Sequence, residues 1–245
     1  MGSTNPDDVP AEFTVLVTGF GPFKEEYPVN PSWEIACQLP DHVSLPPPLG
    51  ANKAPRPVRI LVHPEPVRVS YDTVRALVPQ LWRPGIDAVL HIGMASPQPH
   101  YSIERRAHRD GYVMKDVDGE FLRDQDRHAR ERDRWVWHAC PHELLTDVDV
   151  DDVLARWQRH SHGSASARGA DLDLRISEDP GRFLCDFIYF SSLAHLWKAG
   201  ERRRVLFLHV PCVASETDVA TGKDLVIQLI RSMVESELAR GTHVW

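Results

Sequence analysis

The sequence predicts a three-layer α/β/α sandwich with a central, mostly parallel, twisted sheet, and three features predict it. Short apolar or β-branched runs recur along the chain and read as strands. Helical signals lie between them, and strands that alternate with helices form a sheet covered on both faces. A chain of 245 residues that is 42% hydrophobic also carries enough apolar side chains to bury a sizeable core, here as one domain spanning 1–245.

Taken in order, 14–18 (TVLVT) is a β-branched run that stops at Gly19, a buried strand ending in a turn. Asn30-Pro31-Ser32 then starts a helix, with Asn30 as the cap and Pro31 in the first helical position. The proline-rich stretch 40–57 reads as loop, 58–62 as a second strand, 70–82 as a helix, and 88–92 as a third strand ending at Gly93. Between 112 and 166 the pattern weakens, apart from a helix near 151–159; 116–168 is expected to be a charged surface excursion. Regularity returns with a strand at 172–176, a helix from near Gly181, a strand at 205–210 and a last helix over 221–238. In that helix Leu225, Leu229, Ile230, Met233 and Val234 recur at helical spacing and should face the core.

Composition narrows the function classes. A formal net charge of −7 repels nucleic acid and anionic membranes, and the Arg-rich stretch 127–134 alternates in sign like a solvated helix face. No apolar run is long enough to cross a bilayer, and 1–13, expected as a flexible tail, lacks the basic start and apolar stretch of a signal peptide. Cys37, Cys140, Cys185 and Cys212 are too sparse for a disulfide framework, so free thiols and a cytoplasmic location are expected. His138, Cys140 and His142 lack a second ligand pair at zinc-site spacing, and ThrGlyPheGlyProPhe lacks dinucleotide-binding spacing; neither metal nor cofactor is expected.

In such sheets ligands gather outside the carboxyl ends of the strands. His209 lies at the end of the 205–210 strand, Cys185 in the first turns of the helix leading into that strand, and Glu104 after the 88–92 strand by a loop. All three reach one edge. A cysteine at a helix start feels the partial positive charge of exposed amides, which favours thiolate over thiol. A histidine then moves the proton and a carboxylate fixes the imidazole tautomer. Each residue also has a plain explanation: a small core thiol, a hydrogen-bonded core histidine, a surface carboxylate.

Four motifs resemble one family, pyroglutamyl peptidase I. They are Thr18-Gly19-Phe20-Gly21-Pro22-Phe23 with Asn30-Pro31-Ser32-Trp33, IleGluArgArgAlaHisArgAspGlyTyr around Glu104, AspProGlyArgPheLeuCysAspPhe around Cys185, and LeuHisValPro around His209. The second resembles the animal members most. The resemblance implies a cysteine omega-peptidase that removes N-terminal pyroglutamate from small peptides, with Cys185 as nucleophile, His209 as base and Glu104 orienting it. It also implies that Phe20, Phe23, Phe183 and Leu184 line the pocket for the lactam ring, which suits aromatic and apolar walls. Met94 stands in Gly93-Met94-Ala95 where many bacterial members have Gln, and Lys24-Glu25 replaces small residues. The alternative is a homologue that binds pyroglutamyl or lactam ligands without turnover. Oligomeric state is left open.

Overall fold

The computed structural model describes residues 12–45, 56–95, 99–162 and 172–241, the side chains of 125–127 excepted. In chain order the elements are β1 (Phe13–Gly19), α1 (Pro31–Ala36), β2 (His42–Leu45), β3 (Arg56–Val62), α2 (Tyr71–Leu81), β4 (Ala88–Ala95), β5 (Tyr101–Glu104) and β6 (Arg106–His108). There follow α3 (Asp124–Glu131), β7 (Glu143–Leu145), α4 (Val150–His162), β8 (Leu174–Ser177), α5 (Leu184–Ala199), β9 (Val205–Pro211) and α6 (Glu216–Ala239). The main sheet runs β2-β3-β1-β4-β9-β5-β8, with β6 and β7 paired apart from it. β3, β1, β4 and β9 are mutually parallel, β5 runs antiparallel to β9 and parallel to β8, and β2 is an antiparallel edge on β3.

The central strands β1, β4 and β9 read as nearly continuous apolar runs, broken only by Thr14, Thr18, His91 and His209, because helices cover both of their faces. Period two then divides their side chains. Val15, Val17, Leu90, Ile92, Leu206 and Leu208 join the core beneath α1, α4 and α6, which Leu225, Leu229, Ile230, Met233 and Val234 complete as expected. Leu16, Val89, Val205 and Phe207 join the opposite core, with Phe187, Phe190 and Leu193 of α5. His209, two residues beyond Phe207, therefore sits on the α5 face.

Asn30 caps α1 as its sequence predicts: its side chain accepts the Ser32 amide at 3.1 Å, and Pro31 occupies the first turn. Gly19 ends β1 so close to this helix start that a Cβ there would lie 2.5 Å from the Ser32 carbonyl oxygen. Three expectations need correction. The stretch 40–57, read as loop, contains β2 and the first residues of β3; β2 alternates exposed and buried residues but is only four residues long and flanked by prolines. Residues 46–55 of that stretch lie outside the described residues. β4 continues past Ile92 through Gly93 to Ala95, because β9 pairs with it over that length. Glu104 ends a strand, β5, rather than sitting in a loop.

The stretch 116–168 exposes charge along α3 and also hides large side chains. Trp135 and Trp137 are buried, and Trp137 packs tilted against Phe187 and edge-on against Phe190 at ring-centroid distances of 5.2 and 4.8 Å. Residues 163–168 of it lie outside the described residues, as does 1–11 of the expected tail; Phe13 is already a buried residue of β1.

Candidate active site

The site is assembled from strand register. β5 runs antiparallel to β9 with Ser102 opposite His209 and Glu104 opposite Phe207. Glu104 and His209 are thus diagonal neighbours on one sheet face, a separation that a long side chain spans. The Glu104 carboxylate does so, accepting from His209 Nδ1 at 2.7 Å, with Ser102 Oγ donating to the same Oε1 at 3.4 Å. Both partners are buried, Glu104 to 1% and His209 to 6% exposure, so the pair is little screened by water. Nδ1 faces Glu104, which leaves Nε2 for Cys185.

Cys185 is the second residue of α5 and half-buried. β4 places Gly93 beside His209 in the parallel ladder, and a Cβ on Gly93 would fall 2.8 Å from Cys185 Sγ and 2.6 Å from Phe207 Cζ. The thiol therefore rests over the bare backbone of Gly93, next to the histidine. Burial disfavours the charged form of His209. The negative charge and hydrogen bond of Cys185, then the hydrogen bond and charge of Glu104, outweigh it and push the imidazole pKa up to about 10. Such an arrangement keeps the imidazole protonated beside the Cys185 sulfur. Gly93→Ala is expected to displace the thiol: overpacking of this kind costs about 1–3 kcal/mol of stability, and a displacement near 1 Å costs about 100-fold in turnover. Thermal unfolding and amide hydrolysis check both.

A cavity of about 390 Å³ opens on this group. Phe20, Phe23, Met94, Glu104, Phe183, Leu184, Cys185 and His209 all line it. The loop after β1 is pinned by the helix cap: Phe20 N–H donates to Ser32 Oγ at 3.0 Å, and Asn30 Nδ2 donates to the Gly21 carbonyl at 2.9 Å. Phe23 and Phe183 approach to 6.1 Å between ring centroids, forming one aromatic wall.

Sequence reasoning missed Val69 and Met114, which also line the cavity. Met114 belongs to a loop tied to α2. Tyr71 donates its hydroxyl to the Met114 carbonyl at 3.0 Å and its amide to Asp116 Oδ2 at 3.0 Å, while Asp116 Oδ1 accepts the amides of Asp118 and Glu120. The signal available was the AspValAspGly turn at 116–119, since an aspartate that bonds amides two and four residues on is a turn former. His138, Cys140 and His142 stand apart from the cavity; His142 pairs with Asp110 at 2.8 Å, and Cys140 is buried beside the tryptophans.

The family model for pyroglutamyl peptidase matches residues 13–236. Pyroglutamyl-peptidase 1 of Rattus norvegicus is 29% identical over 91% of this chain and 89% of its own length. The crystal structure of pyrrolidone carboxyl peptidase from Thermus thermophilus is 27% identical, covers 91% of this chain and 99% of its own, and superposes with a TM-score of 0.61. Pyroglutamyl peptidase I of Bacillus amyloliquefaciens, at 18% identity, 92% and 98% coverage and a TM-score of 0.66, shares the fold. With the family model covering β1 through most of α6, the chain belongs to the pyroglutamyl peptidase family.

Proposed function

We propose that this protein hydrolyses the bond after an N-terminal pyroglutamyl residue of peptides, through an acyl-enzyme on Cys185. The carrying observation is the buried Glu104–His209 hydrogen bond of 2.7 Å with Cys185 as the histidine's other partner, at the wall of an aromatic cavity. The Cys185 thiolate attacks the pyroglutamyl carbonyl carbon. The carbonyl oxygen becomes an oxyanion, which the unpaired amides at the start of α5 are placed to stabilise. His209 gives its proton to the departing amine, the C–N bond breaks, and a thioester remains. Neutral His209 then takes a proton from water as the hydroxide adds, and collapse of the second intermediate releases pyroglutamate and restores thiolate and imidazolium. Glu104 holds the ring in one tautomer and stabilises its cation.

Phe20, Phe23, Met94, Phe183 and Leu184 enclose the lactam ring in this reading. Pyroglutamate has no free amine, so its uncharged ring suits apolar walls where an ammonium group would be left without a partner. All four cysteines are free, which supports a cytosolic setting where a catalytic thiol stays reduced.

Freshly reduced protein is expected to hydrolyse a fluorogenic pyroglutamyl amide and to leave prolyl and glutaminyl amides intact. Binding of the pyroglutamyl amide without hydrolysis would overturn the reading. The pH profile gives a second expected outcome. His209 must be protonated to donate to the leaving amine, and its pKa is raised, so kcat/KM should hold through neutrality and fall as pH rises through about 10. An alkaline limb near the ordinary histidine value would contradict the thiolate–imidazolium pair.

A further inference from the structure

The helix that carries Cys185 also grips the segment that carries Glu104. β5 ends at Glu104, and the chain then leaves the main sheet to form β6. At that departure the Glu104 carbonyl accepts the Tyr189 hydroxyl at 2.9 Å, and four residues later the His108 amide donates to Asp186 Oδ1 at 2.9 Å. Asp186 and Tyr189 are three residues apart on α5 and so share a face. Both are fully buried, among Phe187, Ile188 and Phe190. Polar groups in such a place cost stability unless they are paired, and the Tyr189 hydroxyl and Asp186 Oδ1 make their hydrogen bonds to the Glu104 segment, while Asp186 Oδ2 faces His108 and Arg182 without a hydrogen bond.

We propose that Asp186 and Tyr189 are positioning residues that clamp the Glu104 segment to the nucleophile's helix and thereby set how Glu104, His209 and Cys185 meet. The proposal rests on the roles given to those three residues above. Glu104 is the last residue of β5, paired with Phe207 and Ser177, and Tyr189 holds its carbonyl where the chain turns away from the sheet; a looseness near 1 Å there costs about 100-fold in rate. Burial, reinforced by the nearby Glu104 charge, holds the Tyr189 pKa well above its ordinary value, so its hydroxyl stays a donor. Burial likewise pushes Asp186 up to about 8, against the His108 amide and Arg182, so near neutral pH it carries little charge next to Cys185. The groups facing it are Arg182 at 3.7 Å, His108 Nδ1 at 3.5 Å, Tyr112 and Asp179.

The test compares Tyr189→Phe, Asp186→Ala and Asp186→Asn for kcat, KM, thermal unfolding and the rate of Cys185 alkylation by iodoacetamide at pH 6, followed on the Cys185 peptide by mass spectrometry. Tyr189→Phe and Asp186→Ala are each expected to lower kcat and alkylation about ten-fold with KM within about two-fold. Asp186→Asn, which keeps an uncharged acceptor for the His108 amide, is expected to restore most of what Asp186→Ala loses. In a Glu104→Gln background the Tyr189→Phe effect should largely vanish, because both changes act through one carboxylate. The proposal is overturned if Tyr189→Phe and Asp186→Ala keep the parent's kcat and alkylation rate. It is equally overturned if they lower only thermal stability, or if the Tyr189→Phe loss persists undiminished in Glu104→Gln. Should Tyr189→Phe not fold, the comparison of Asp186→Ala with Asp186→Asn decides. Alkylation needs no substrate, so a parent inert toward pyroglutamyl amides but showing these alkylation changes would refute the substrate reading and leave the clamp standing.

Discussion

Cys185→Ala should abolish pyroglutamyl amide hydrolysis while leaving the fold intact. Loss of a covalent nucleophile costs on the order of a million-fold in turnover where the triad acts as a unit, and among the described residues that line the cavity Cys185 is the one thiol. Cys140 is buried beside Trp135 and Trp137, and Cys37 is exposed at the end of α1. The thiol is half-buried and small, so its removal leaves a modest void and a change in stability of about 1 kcal/mol. A second consequence is readable without substrate. Cys185 is the first of the influences that raise His209, ahead of Glu104, so in Cys185→Ala the imidazole should titrate at lower pH than in the parent. NMR of the histidine ring checks that direction, and a fluorogenic assay checks the turnover. Activity equal to the parent would remove the assignment.

Glu104→Gln should leave a slow enzyme. The amide keeps an acceptor oxygen near Nδ1 but loses the charge that stabilises the imidazolium, and it can rotate to present a donor that favours the wrong tautomer. Comparable changes at an orienting carboxylate lower kcat by about 10⁴. KM should change little, because Glu104 reaches the histidine rather than the lactam walls. His209 should also titrate lower, since both the hydrogen bond and the charge of Glu104 raise it. Parallel measurement of kcat/KM and thermal unfolding separates this from misfolding: a large loss of rate with an unchanged melting temperature is expected. A variant as fast as the parent would show that the buried hydrogen bond of 2.7 Å is not used in turnover.

Much of this site was legible because sheet topology places residues before contacts are known. His209 could be assigned to the end of the 205–210 strand, and Cys185 to the first turns of the helix read from near Gly181; in a parallel sheet those positions share an edge. Glu104 was placed at the right edge for an incomplete reason. β5 is four residues, all buried, so it shows neither alternation nor a long apolar run, and its antiparallel pairing with β9 is a long-range fact that local pattern does not carry. β2, β6 and β7, each of three or four residues, are likewise too short for local pattern to mark them, even where exposure alternates as in β2. The ring of aromatics at Phe20, Phe23 and Phe183 followed from motifs flanking the first strand and the nucleophile. Met114 and Val69 did not, because they come from loops whose positions are set by Asp116 and Tyr71. The clamp by Asp186 and Tyr189 was equally hidden: within ArgPheLeuCysAspPheIleTyr the two look like ordinary helix residues, and only the fold shows what they hold.

The central claim is that Cys185 is the atom that takes the acyl group in a lactam-shaped cavity. Treatment with one equivalent of a pyroglutamyl chloromethyl ketone, followed by peptide mass spectrometry, tests it most directly. The account predicts complete inactivation with a single adduct on Cys185, slowed by free pyroglutamyl amide. Inactivation with the label on Cys37, Cys140 or Cys212, and Cys185 unmodified, would contradict it.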